Sequence, residues 1–310
     1  MDTTLGQAAT SPDGIPSGPL ITLKDISWLM YLYPVRWLAT HARASFRGNQ
    51  AVLLALCRAI AGRERRRVQA RLERVPIGLL SRPAKDIARD NLDHAVRRVL
   101  DDLNMQSLVA DRSLKVTING REHLERAVRE KRGAILLSGH FFAARLAKRV
   151  LAASGYPVMS VRHFSPPDDN MGRLWGRRLQ QEYIEFLSSV IVDEVDTTDP
   201  ACTMKILQRL REGGLVNIHA DSRFSSQVMD LPFLGAPGTF ALGFLRIAEI
   251  AGCPLIPFRF LGDSRRLEIS FDEPIRPVPG DRQATLRAIV EDLERQILKN
   301  PEQWEIWVRW

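Results

Sequence analysis

Two short stretches of this chain carry residue types that could do acid–base chemistry. In GAILLSGHFFAAR (133–145), the apolar run Ala134–Leu137 stops at Ser138–Gly139 and delivers His140 where the pattern turns helical. In LVNIHAD, a second run, Leu215–His219, ends two residues before Asp221. A histidine and a carboxylate leaving the ends of two strands are the parts of a general base and of a group that orients it. Gly139 lets the backbone turn sharply and a substrate approach closely. A helix starting near Phe141 would offer N–H groups to a developing oxyanion. Five residues beyond His140, where an acidic partner would be expected, stands Arg145.

Other chemistries fit less well. Ser138 precedes the histidine without a G-x-S-x-G elbow. Neither a Walker A nor a G-x-G-x-x-G motif is present, so nucleotide binding is not indicated. His219 and Asp221 alternate onto one strand face and, with His140 or His163, offer metal-type donors. No tight ligand motif accompanies them, and the expectation is no metal and no bound cofactor.

Strands and helices alternate around these residues. Strands are expected at 115–118, 134–137, 158–161, 190–193, 215–219, 255–260 and 267–271. Helices are expected at 122–130, 141–153, 171–186, 201–212, 240–251 and 283–298, after one over 84–103 whose apolar stripe is Leu92, Val96, Val99, Leu100 and Leu103. The fold class is α/β, with a mostly parallel central sheet flanked by helices on both faces. Ligands of such sheets gather at the carboxyl ends of strands, where His140 and Asp221 lie. Three regions follow: a disordered tail over 1–19, a helical N-terminal region over 20–80, and the α/β domain over 81–310.

The 310 residues carry a formal charge of +8, which favours anionic partners such as a phospholipid surface, an acidic carrier protein or coenzyme A. Charge alone, without a recognised module, does not make a nucleic-acid binder, and no nucleic-acid partner is expected. Three scattered cysteines make no disulfide framework and point to a reducing, cytoplasmic setting. DISWLMYLYPVRW has too short an apolar run to span a bilayer, which takes roughly 20 residues. Its aromatics suit an interfacial helix, peripheral on the inner face of the plasma membrane, or an ordinary core helix. The basic run Arg63–Arg67 reads as a solvated helix face.

The stretch INGREHLERAVREKRGAILLSGHFFAARLAKRVLAASGYPVMSVR resembles the lysophospholipid acyltransferase superfamily, nearest its branch of lipid A late acyltransferases and phosphatidylinositol mannoside acyltransferases. The resemblance continues through LREGGLVNIHADSRFSSQVMDLPFLGAPGTFALGFLRIAEIAGCPLIPFRFL and closes with NPEQWEIWVRW, covering about residues 85–310. It implies a glycerolipid acyltransferase-like fold and transfer of an acyl group from an acyl carrier protein or coenzyme A thioester. The acceptor would be a hydroxyl or amine on a lipid or a specialised metabolite. In the family's H-x4-[D/E] motif the histidine is the base, and His140 matches it. Asp221 matches the aspartate of a later loop, usually preceded by proline, where this chain has Ala220. Arg162 matches an arginine after the next strand, and Leu231–Thr239 matches a loop that shapes the acyl site. Ser138, Gly139, Arg145, Arg162 and Thr239 are therefore candidate substrate-binding residues, beside His140 and Asp221 as candidate catalytic ones.

Arg145 is the departure from that motif. A guanidinium has five donors and no acceptor, so it cannot hold the Nδ1–H of an imidazole. Asp221 would then substitute as the orienting carboxylate. Alternatively, Arg145 binds an anionic part of the substrate, or transfer activity is lost. The last case would leave a non-catalytic lipid- or carrier-protein-binding protein on an acyltransferase fold. The expectation carried forward is an active acyltransferase.

Overall fold

The computed structural model describes residues 20–41, 51–52, 54–55, 58–59, 61–110, 114–163, 174–190, 193–223, 225, 227–275, 277 and 281–308. The tail expected over 1–19 lies outside the described residues. The chain divides into two compact units, one drawn from residues 1–48 and 164–190, the other from 49–163 and 191–310.

The smaller unit contains helix α1 (Leu23–Met30), a π-helical turn through Pro34, helix α2 (Arg36–His41) and, from further along the chain, helix α7 (Gly176–Val190). Thr22 and Asp25 cap α1 reciprocally. The Thr22 N–H donates to Asp25 Oδ2 at 2.7 Å, and the Asp25 N–H to Thr22 Oγ1 at 3.2 Å. Trp28 packs on Tyr183, whereas Ile26, Met30 and Trp37 are exposed. Among the described residues no helix is long and apolar enough to cross a membrane.

The larger unit is built on a seven-stranded sheet of order β1-β9-β8-β2-β5-β3-β4, with helices around it. The strands are β1 (Lys115–Asn119), β2 (Ala134–Ser138), β3 (Val158–Arg162), β4 (Glu194–Asp196), β5 (Leu215–His219), β8 (Leu255–Gly262) and β9 (Arg266–Phe271). Among the described residues of this sheet only the β8–β9 pair is antiparallel. Every residue of β2 is buried, the pattern of a strand covered on both faces, which is why its sequence is an unbroken apolar run rather than an alternating one. Around the sheet lie α3 (Gly62–Leu72), α4 (Ala84–Ala110), α5 (Arg121–Arg129), α6 (Ala144–Ala153), α8 (Cys202–Arg211), α9 (Gly243–Ala251) and α10 (Arg282–Lys299). Asp281 caps α10 by accepting the Ala284 N–H at 2.9 Å.

Three expectations about elements are corrected. The fourth strand is Glu194–Asp196, not 190–193: Val190 is the last residue of α7, and 191–192 lie outside the described residues. The helix expected from 141 begins at Ala144, since Phe141 is held in a bridge to Trp304 and Phe142–Ala143 form the turn that leads into the helix. Residues 240–241 belong to a hairpin, β6 (Val228–Phe233) and β7 (Ala236–Ala241), so α9 starts only at Gly243. The hairpin turns through Leu234 and Gly235, both at positive φ (51° and 80°), the geometry of a two-residue type I′ loop. Its two prolines and two glycines made it read as a loop.

Candidate active site

Strand register brings the two candidate catalytic residues together. β2 and β5 run parallel with Ser138 opposite His219, so the residues two positions further on, His140 and Asp221, leave the sheet side by side. The Ala220 N–H donates to Ser138 O at 2.8 Å and ties the two exits. Gly139 is closely packed by two side chains. A Cβ there would lie 2.7 Å from Leu293 Cδ1 and 2.8 Å from Phe141 Cε2, too close for either to remain in place.

Asp221 grips His140 at two points. The His140 ring Nδ1 lies 2.6 Å from Asp221 Oδ1, and the His140 backbone N–H donates to Oδ2 at 2.9 Å. Oδ2 also accepts the Trp304 indole Nε1–H at 2.8 Å. The Asp221 side chain is 2% exposed and the imidazole 30%, so the carboxylate is sealed while the ring keeps an open edge. Since a carboxylate only accepts, Nδ1 carries a proton, which in the neutral imidazole leaves the lone pair on Nε2. Burial alone would raise the Asp221 carboxyl, but the His140 charge and hydrogen bonds and the His219 charge outweigh it and hold the group well below the usual carboxylate range.

The C-terminal segment braces this pair. The Glu305 N–H donates to His140 O at 2.7 Å, and the Phe142 N–H donates to Gln303 O at 3.1 Å. Asn91 of α4 in turn holds that segment, donating to Glu302 O and Trp304 O at 2.9 and 2.8 Å. Trp304 was visible in sequence only as part of the PEQW ending. Its contact with Asp221 spans 83 positions, and no local pattern reveals it.

His219 forms the floor. Its ring stacks on that of His140 with centroids 4.0 Å apart, and its Nδ1 lies 3.0 Å from Ser138 Oγ and 3.1 Å from Gly139 O. Asn217 completes the layer, donating to Leu136 O and Ser138 Oγ. Burial, then the nearby positive charges of His140 and Lys148, push the His219 proton affinity well below its ordinary value. His219 is therefore neutral, and the stack carries at most one positive charge. Ser138 is thus fixed inside this layer at the Asn217 and His219 contacts.

The remaining candidates are placed as follows. Arg145 is ion-paired through Nη1 to Oδ2 of Asp102, whose side chain is 1% exposed, so it joins α6 to α4. Arg162, at the end of β3, pairs with Glu194 at 2.8 Å. Thr239 lies in the hairpin and donates to Asp230 Oδ1 at 2.6 Å. His163 Nδ1 meets Thr197 Oγ1 at 2.7 Å and is not part of the His140–His219–Asp221 group. Of the N–H groups after Gly139 expected to receive an oxyanion, three are already engaged. Those of His140, Phe141 and Phe142 already donate to Asp221 Oδ2, Gly139 O and Gln303 O.

Donor atoms of His140, His219 and Asp221 lie within 4.8 Å of one another, close enough for a metal ion. The donor chemistry argues against one. Both Asp221 oxygens are occupied by N–H donors, and a cation would have to displace those bonds. The arrangement is that of an oriented imidazole.

The structure is similar to that of the 1-acyl-sn-glycerophosphate (LPA) acyltransferase PlsC from Thermotoga maritima, at 14% sequence identity and a TM-score of 0.37, covering 89% of this chain and 98% of that one. None of the curated proteins is similar enough to count as a match. The sequence matches the family described as bacterial lipid A biosynthesis acyltransferase over residues 27–309, nearly its whole length. The chain belongs to the bacterial lipid A biosynthesis acyltransferase family, and its activity is of the acyltransferase type.

Proposed function

We propose that the protein transfers an acyl group from a thioester of acyl carrier protein or coenzyme A to a hydroxyl or amine acceptor, with His140 as the general base. The observation that carries this reading is the 2.6 Å contact of His140 Nδ1 with Asp221 Oδ1, in a chain of an acyltransferase family. Nε2 takes the acceptor's proton as the acceptor oxygen or nitrogen attacks the thioester carbonyl. The tetrahedral intermediate then expels the sulfur, which leaves as a thiol carrying the proton held by the imidazolium. Asp221 keeps the ring in the required tautomer and stabilises its charged form.

The acceptor is a lipid or a small molecule, and the protein works in the cytoplasm. The exposed Ile26, Met30 and Trp37 support a peripheral contact of the smaller unit with an anionic inner membrane face. The decisive experiment is thiol release from acyl-carrier-protein and acyl-coenzyme A thioesters, with mass spectrometry of products, comparing wild type with His140→Ala. Release lost in the variant supports the reading. No release from either protein, alongside measurable thioester binding, refutes it in favour of a binding protein.

A further inference from the structure

Beside the His140–Asp221 pair, α6, β3, β4 and the C-terminal segment bring several ionised side chains together. Arg145 is paired with Asp102, Arg162 with Glu194 and Arg98 with Glu305. Each arginine of the group therefore has its carboxylate. Lys148 stands one helical turn beyond Arg145 on α6, so the two share a face. Among the described residues no carboxylate lies within ion-pairing distance of its ammonium. The charged and titratable groups that act on it are Arg145 from its own helix, Arg162 from β3, Glu194 from β4 and Glu305 from the C-terminal turn. From β5, His219, stacked on His140, feels the Lys148 charge.

A partly buried ammonium without a carboxylate, in a group whose other charges are already matched, leaves one uncompensated positive charge close to the reacting imidazole. Such a charge is costly unless an anion arrives to meet it. We infer that Lys148 anchors an anionic group of a substrate, a carboxylate or a phosphate, next to the His140–Asp221 pair. This transfers to Lys148 the role that the sequence suggested for Arg145, whose guanidinium is committed to Asp102. It rests on the acyl-transfer reading for the identity of the substrate, though not for the existence of the subsite. Burial, then the Arg145 charge, lower the Lys148 ammonium to about 8, with Arg162 acting in the same direction and Glu194 and Glu305 opposing. An arriving anion restores the proton, so binding near pH 8 takes up about half a proton per site.

Sulfate, whose charge is constant over the range, is the probe. It is titrated calorimetrically against chloride at fixed ionic strength, in buffers of different ionisation enthalpy. Wild type is expected to bind with proton uptake at pH 8 and to weaken about tenfold between pH 7 and pH 9, as a group near 8 loses its proton. Lys148→Met should abolish the site, and Lys148→Arg should keep it without proton uptake. Melting curves check that both variants fold. Unaltered sulfate binding in K148M means an adventitious ion only and overturns the proposal. A K148M variant that keeps the sulfate site and loses only kcat overturns it too, in favour of oxyanion stabilisation. With the site lost in K148M, a raised KM for the thioester assigns the anion to the donor's phosphates, and an unchanged one assigns it to the acceptor. The sulfate titration needs no turnover, so its failure is separable from failure of the His140→Ala experiment.

Discussion

Asp221→Asn is the substitution that bears most directly on the site, because it changes one atom and leaves the shape. Asp221 receives three N–H donors, two on Oδ2 and one, from the imidazole, on Oδ1. An asparagine can keep the first two only by placing its single oxygen at the Oδ2 position. Its NH2 then faces His140 Nδ1, which must give up its proton to accept the bond. The opposite orientation would set an NH2 against two buried N–H groups, at about 1–3 kcal/mol for each unmade bond. The first orientation therefore wins. The imidazole proton moves to Nε2, and the reacting nitrogen loses its lone pair. A wrong tautomer of this kind lowers turnover by about 10³–10⁴-fold, or about 4–5.5 kcal/mol of barrier. Thiol release from a saturating acyl thioester measures it, and a melting curve close to wild type shows that the fold is intact. If D221N retains activity within about threefold of wild type, Asp221 is not the orienting carboxylate, and the assignment of the pair fails.

Two further substitutions probe the charged layer under the site. Arg145→Met leaves Asp102 buried and unpaired, which costs about 3–5 kcal/mol, or about 10 °C in Tm for a unit of this size. Replacing both partners, R145M with D102L, should recover most of that loss. A Tm unchanged in R145M alone would show that the pair does not join α6 to α4. Asp101, 6% exposed, accepts the Ser264 N–H at 3.1 Å, and burial raises its carboxyl from 3.8 to about 7. The folded protein thus holds a proton that the unfolded chain has released, so this group subtracts stability as pH rises from about 4 to about 7. The full effect is on the order of 4 kcal/mol. D101N removes the titration, so its Tm should rise above wild type progressively over that range and level off near pH 8. A constant difference between the two proteins at all pH values would contradict the buried-acid assignment.

The sheet was legible because most of its strands are apolar runs bounded by turns. β4 was not, since it is three residues long with only Val195 buried, too short and too polar to stand out as an apolar run. His140 and Asp221 were legible for a physical reason: each follows a buried strand by two residues, and strand ends are where side chains escape the core. The partners of Arg145 and Asp221 were not legible. Asp102 sits in LDDL, which reads as the solvated side of a helix, yet the fold buries it opposite a residue 43 positions away. Trp304 and Lys148 were equally silent, one acting across the chain and the other resembling any surface lysine.

The topology explains how an arginine can occupy the position where the H-x4-[D/E] pattern has an acid. That pattern supplies the acid from the helix that follows the histidine. Here the parallel register of β2 and β5 supplies it from the next strand, and Asp221 reaches both the ring and the backbone of His140. A contact at both points fixes the position of the residue as well as its tautomer, which one acid on a helix turn would do less completely. Once the strand does this, the helix position no longer has to accept an imidazole proton. It is available to a guanidinium, and Arg145 uses it to bind α6 to α4 through Asp102. The same α4 holds the C-terminal segment through Asn91, and that segment delivers Trp304 to Asp221. The substitution of acid by base at position 145 is thus coupled to the site through packing. Asp221 carries the electrostatics, and the Arg145–Asp102 pair helps hold in place the helix on which its second donor depends.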